Sequence, residues 1–170
     1  MIRRALILLL GLVAAAGLGT WLVLQTEPGW YLRARYPLRY RSYVETHAAN
    51  YRLPPSLLAG VIYTESKFDP SARSSAGAVG LMQLLPETGQ AIADRTGGGA
   101  FTPADLFDPE ISIRYGAWYL RNLLDKYASR PDDRKLALAA YNAGQANVDR
   151  WIAATPAGRP VAIPFAETRA

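Results

Sequence analysis

Three short blocks hold most of the side chains able to do chemistry. The first is Tyr63-Thr64-Glu65-Ser66-Lys67-Phe68. The second is Gly77-Ala78-Val79-Gly80-Leu81-Met82-Gln83, and the third is Ala139-Ala140-Tyr141-Asn142-Ala143-Gly144. Glu65 is a carboxyl that donates a proton when neutral and accepts one when ionised. It falls on or beside the apolar stripe of Leu57, Leu58, Val61 and Ile62, where a glutamate is seldom buried unless paired or used. Taken alone, it reads as a boundary residue reaching solvent. The glycines of the second block let backbone approach a neighbour closely; alone they mark a loop and a helix start. Tyr141 and Asn142 offer hydrogen bonds at the end of an apolar helix; alone they are part of a helix terminus.

Composition narrows the chemistry further. Among 170 residues, half are apolar and 19% are charged, which supports a packed core and excludes wholesale disorder. There is no cysteine, so disulfides, thiolate metal sites and a cysteine nucleophile are excluded. His47 is the sole histidine, which leaves little for Ser-His-Asp catalysis or a multi-histidine metal site. We expect it to be a surface or packing residue. No metal or other cofactor is expected. The net charge is +5, but the first twenty-four residues hold two arginines and no acid, leaving 17 positive against 14 negative charges. A nucleic-acid partner is therefore not expected.

The elements that must position these blocks are helical. Gln25 to Pro37 reads as a linker punctuated by Pro28, Gly29 and Pro37. A helix is predicted over about 38–51, and a second starts at Pro54-Pro55 and ends at Asp69-Pro70. Residues 71–80 form a loop with room at best for a short sheet. Pro86 opens a helix to about Arg95, before the Gly97-Gly98-Gly99 break. Thr102-Pro103 and Asp108-Pro109 look like cap-then-first-turn pairs. The longest helix follows Asp108 to about Ala128, with two shorter ones over about 132–143 and 147–153. Tyr115, Trp118 and Tyr119 on the long helix offer aromatic stacking surface, although core packing is expected for at least two of them.

Taken in order, Glu65-Ser66, Gly80-Leu81-Met82-Gln83 and Ala140-Tyr141-Asn142-Ala143-Gly144 resemble the soluble lytic transglycosylase family, which has a lysozyme-like fold. The likeness spans about 51–152. Pro70, Ala72, Ser74, Leu84-Leu85-Pro86, Asp108-Pro109 and Gly116-Ala117-Trp118-Tyr119-Leu120 fall in place around it, and Ile163-Pro164-Phe165-Ala166-Glu167-Thr168-Arg169 resembles a further family block. One departure is Gln145-Ala146-Asn147, which lacks a second glycine often found after Gly144. The resemblance implies a mostly α domain of the α+β lysozyme-like superfamily over residues 38–170, monomeric, with a cleft for peptidoglycan glycan strands. It implies Glu65 as catalytic acid and base, and Ser74, Gln83, Tyr141, Asn142 and Glu167 as substrate-binding residues.

Most glycoside hydrolases use two carboxylates. Asp69 is a poor second one, being better read as a turn residue; Asp105 or Glu110 stays open as a distant one. The family's reaction needs only one. The acid protonates the glycosidic oxygen between N-acetylmuramic acid and N-acetylglucosamine, and the same group then takes a proton from the sugar's own C6 hydroxyl, which closes a 1,6-anhydro ring. That scheme needs Glu65 protonated near neutral pH, which burial would favour. Two alternatives stay open: a hydrolytic muramidase of related fold, and a membrane-tethered peptidoglycan-binding module without activity.

Ahead of all this, Arg3 and Arg4 precede an uncharged run from Ala5 to Leu24. As a helix its twenty residues span ~30 Å, the thickness of a bilayer core. Residues 1–24 are therefore expected to be a retained membrane anchor, with a cleaved signal ending near Ala14-Ala15-Ala16 as the alternative. Either places the catalytic domain outside the cytoplasm, on the periplasm or wall side, with Arg3 and Arg4 inside.

Overall fold

The computed structural model describes residues 2–29, 31, 38–156 and 158–164. The chain divides into two units, 1–39 and 40–170. In the first, α1 runs Ile2–Thr26 and continues through Gln25 and Thr26, which the sequence assigns to the linker. Its stretch Leu6–Thr26 has a mean hydropathy of 2.3, with none of its most apolar window buried. Thr20 and Thr26 donate their hydroxyls back to the carbonyls of Ala16 and Leu22 at 2.9 and 2.8 Å. Both polar groups are thus satisfied inside the helix, as an apolar surrounding requires.

The second unit is built from helices. They are α2 (Arg41–Asn50), α3 (Pro55–Ser66), α4 (Pro86–Thr96), a 3-10 turn (Pro103–Phe107), α5 (Pro109–Tyr127), α6 (Asp133–Ala143) and α7 (Gln145–Ala154). Proline opens α3, α4 and α5, where its missing N–H costs nothing and its φ is preset. Asp108 caps α5 by accepting from the N–H groups of Glu110 and Ile111 at 2.9 and 3.0 Å. Asp105 closes the 3-10 turn by accepting from Thr102 N–H at 2.7 Å.

α5 is the axis of the core. Ile113, Tyr115, Ala117, Leu120, Leu123 and Leu124 are buried on it, and α6, α2 and α4 pack around it. Gly116 lets the 67–85 loop press against this helix: a Cβ there would lie 2.5 Å from Met82. Within the loop, Val79 and Leu84 exchange backbone hydrogen bonds of 3.0 and 3.2 Å. Among the described residues only isolated bridges form there, and no strand.

Two boundaries differ from the pattern. α3 stops at Ser66, before Asp69-Pro70, because Lys67 and Phe68 both take left-handed φ values of 54° and 64°. That reversal delivers the Phe68 ring into the core, where it is 5% exposed. α7 begins at Gln145 because Gly144, at φ 86°, ends α6 and starts the next helix in one residue.

Candidate active site

Glu65 stands on the last turn of α3, and α6 runs opposite. Between them lies an open cavity of about 800 Å³. Leu57, Gly60, Val61, Thr64 and Glu65 line it from one face of α3, and Lys135, Leu138, Ala139 and Asn142 from one face of α6. Both sets follow the three-and-four spacing of a helix face. Tyr141 and Ile163 complete the walls. Glu65 is the only acidic side chain among the described residues lining this cavity.

The carboxyl is half-buried, and no hydrogen bond or ion pair joins it to a described residue. Burial alone pushes its pKa above the ordinary glutamate value, because little compensates the lost hydration of the anion. Tyr141 is also driven well up, first by burial and then by the nearby Glu65 charge. It stays a phenol and donates to the carbonyl of Met82 at 2.8 Å.

That bond belongs to a brace around residues 81–83. Ser66, next to Glu65, donates to the carbonyl of Leu81 at 2.9 Å. Ser112 of α5 accepts from Met82 N–H at 3.2 Å. Three helices therefore hold one loop. Gly80 makes its approach possible at φ 76°, where a Cβ would sit 1.9 Å from the carbonyl oxygen of Leu106.

The sequence-predicted residues separate into groups. Glu65, Tyr141 and Asn142 meet in the cavity, with Asn142 exposed at its edge. Gln83 and Ser74 are not among its lining residues. Gln83, at φ 46°, donates its amide to the carbonyls of Ala72 and Gly80 at 3.2 and 2.9 Å. Ser74 Oγ accepts from Ala78 N–H at 3.0 Å. Both therefore shape the loop itself. Glu167 lies outside the described residues. Asp69 is a turn residue, accepting from the N–H and hydroxyl of Ser71 at 2.9 and 2.7 Å. Asp105 and Glu110 are absent from the cavity lining. His47 is 5% exposed and packs on Tyr51, and burial lowers its pKa. It is a packing residue.

A second hollow, about 390 Å³, lies between α4 and α5. Trp118, Tyr119, Asn122 and Lys126 border it with Glu87, Thr88, Arg95 and Gln145. Tyr119 and Tyr141 have ring centroids 5.5 Å apart, so this pair stands between the hollow and the Glu65 cavity. Tyr115 is buried instead, packing on Phe101 at 5.6 Å. Sequence reasoning missed Lys135, Leu138 and Thr64 as lining residues. Helical spacing from Glu65 finds Val61, and from Val61 finds Thr64, but nothing local sets α6 opposite α3. No three metal-ligating side chains converge among the described residues.

Residues 42–160 match the transglycosylase SLT domain. The chain is 33% identical over 146 residues to the soluble lytic murein transglycosylase of Escherichia coli K12, an alignment covering 82% of this chain and 22% of that one. It is 37% identical over 118 residues to the membrane-bound lytic murein transglycosylase C of Histophilus somni, covering 66% of this chain and 32% of the relative. The structure of an inactive mutant of the lytic transglycosylase Slt from Pseudomonas aeruginosa superposes with a TM-score of 0.71 at 33% identity, covering 86% of this chain and 24% of that one. The chain thus spans about a quarter to a third of the length of these proteins.

Proposed function

The chain belongs to the transglycosylase SLT domain family, and from that premise we propose that it is a peptidoglycan lytic transglycosylase. It cleaves the β-1,4 bond between N-acetylmuramic acid and N-acetylglucosamine without consuming water. Glu65 donates its proton to the glycosidic oxygen as the bond to C1 breaks, leaving the 4-hydroxyl of N-acetylglucosamine. The substrate's 2-acetamido group stabilises the positive charge at C1. The Glu65 carboxylate then takes the proton of the C6 hydroxyl, and O6 bonds to C1 to give the 1,6-anhydro sugar. Glu65 ends protonated, ready for the next bond, and an intramolecular nucleophile brings a large effective-molarity advantage.

The observation that supports this most is Glu65 itself: a half-buried, unpaired carboxyl, raised in pKa, in an open cavity of about 800 Å³ with no second acid among its described walls. Asn142 and Tyr141, which line the same cavity, meet sugar amides and hydroxyls. Substrate-binding roles for Ser74, Gln83 and Glu167 rest on the family resemblance alone. The glycan strand continues past the Tyr119–Tyr141 pair over Trp118, whose ring suits stacking on a sugar face. α1 acts as a retained membrane anchor, with the catalytic unit on the far side of the cytoplasmic membrane.

Purified sacculi incubated with wild type and Glu65→Gln test the assignment. Wild type releases soluble anhydro-muropeptides. Glu65→Gln lowers release by about 10²–10⁴-fold, the range for losing a general acid, while still sedimenting with sacculi. Unchanged release by Glu65→Gln rejects the catalytic role.

A further inference from the structure

The turn between α5 and α6 carries a carboxylate with a long-range task. Asp132 Oδ2 accepts from Val161 N–H at 3.0 Å, twenty-nine residues away. Its side chain is 11% exposed, and Arg130 Nε lies 3.5 Å from the other oxygen. Val161 is 9% exposed and joins the core, Ala162 faces out, and Ile163 packs inward again. That in-out-in order is the period of an extended segment. Two residues past the hydrogen bond, Ile163 is a wall of the Glu65 cavity.

We propose that Asp132 is a positioning residue for Glu65: by holding the Val161 N–H it seats segment 158–164 against the domain and fixes Ile163 as a wall of the Glu65 cavity. The effect on catalysis rests on the reading of Glu65 as the acid; the effect on the cavity does not. Among the described residues, segment 158–164 makes no other hydrogen bond to the helices, its remaining backbone contact being the local turn from Arg159 N–H to the Pro156 carbonyl at 3.2 Å. Without the Asp132 acceptor, Val161 N–H is buried unpaired, which favours release of the segment to water. Loss of the Ile163 wall then hydrates Glu65.

The other groups facing Glu65 do not reproduce this. Lys135 and Tyr141 come from α6, with Tyr119 of α5 behind the latter. Lys135 is a cation, which cannot raise a carboxyl's pKa, and Tyr141, as a phenol, carries no charge. Segment 158–164 brings Ile163 to the cavity, and its nearest charge in sequence, Arg159, is exposed. Burial is the sole cause that raises Glu65, so removing a wall acts on it directly. Asp132 itself is held below the usual carboxylate range, first by the Val161 N–H. The hydrogen bond therefore persists across neutral and mildly acidic pH.

The test follows isotope-labelled glutamate carboxyls by NMR in the full chain in detergent micelles, with Glu65→Gln assigning the resonance. In wild type, Glu65 titrates above the ordinary ~4.3 of a free glutamate. Asp132→Ala moves that midpoint down by about half a pH unit or more, since hydration favours the anion. Asp132→Asn keeps an acceptor for Val161 N–H and leaves the midpoint in place. Ile163→Ala leaves the clamp intact, opens the wall, and lowers the midpoint like Asp132→Ala; it serves alone if Asp132→Ala does not fold. An unmoved midpoint in Asp132→Ala or Ile163→Ala overturns the proposal, as does an equal shift in Asp132→Asn. Wild type that releases nothing from sacculi rejects the enzymatic reading and leaves the titration result standing. With activity present, the alkaline limb of its pH profile moves down in Asp132→Ala and stays put in Asp132→Asn. A uniform loss at every pH marks a merely structural role and overturns the proposal.

Discussion

On the proposed mechanism Glu65 must be neutral to act as an acid, and burial raises its pKa. Activity therefore falls as pH rises through that raised value, and a pH–rate profile on sacculi reads the limb. The same shift links to stability. Between the ordinary glutamate value and the raised one, the folded state binds more protons than the unfolded, so stability falls as pH rises through that window. Glu65→Gln removes this dependence. It should raise the thermal midpoint at neutral pH, and the gain should vanish below about pH 4, near the ordinary value. Tyr141→Phe deletes the donor to the Met82 carbonyl and should cost about 1–2 kcal/mol in denaturant melts. The place of Glu65 on the apolar stripe was legible because the stripe is local and periodic, but its role came only from the order of the three blocks. The inward bonds of Gln83 were not legible: they run to Ala72 and Gly80 across a turn whose left-handed φ no spacing rule announces.

At the scale of elements, the proline-opened starts of α3, α4 and α5 were readable because each announces itself within four residues. Asp108-Pro109 is the clearest, and Asp108→Ala should cost about 1 kcal/mol by calorimetry. The end of α3 was not readable, since the pull on Phe68 comes from the core and not from its neighbours. Close approach decides two further positions. Gly116→Ala places a methyl 2.5 Å from Met82, displaces the braced loop, and should cost about 1–3 kcal/mol. Gly80→Ala meets the Leu106 carbonyl at 1.9 Å and strains φ 76° as well, so it should be the more damaging of the two by urea midpoint. The placing of α6 opposite α3, which makes the cavity, brings together residues some seventy apart in sequence and depends on the whole packing.

For the whole molecule, the proposed function divides between α1 as anchor and the unit 40–170 as enzyme. A helix apolar over Leu6–Thr26 with Arg3 and Arg4 before it supports a retained anchor. Cell fractionation of the intact chain should recover it in the membrane fraction with its N-terminus in place; a soluble form beginning near Gly17 contradicts retention. At ~3.3–3.6 Å per residue, the length of stretch 27–40 sets an upper limit of ~50 Å on the tether of an anchored enzyme. Lengthening this stretch should widen the strands it reaches, read as greater release from whole sacculi bound to vesicles. The central claim, that one carboxyl cuts the strand while the sugar closes on itself, is tested most directly by digesting purified peptidoglycan in heavy-oxygen water. Mass spectrometry of wild-type products should find anhydro termini one water lighter than reducing ends and free of the label; labelled reducing ends would contradict the account.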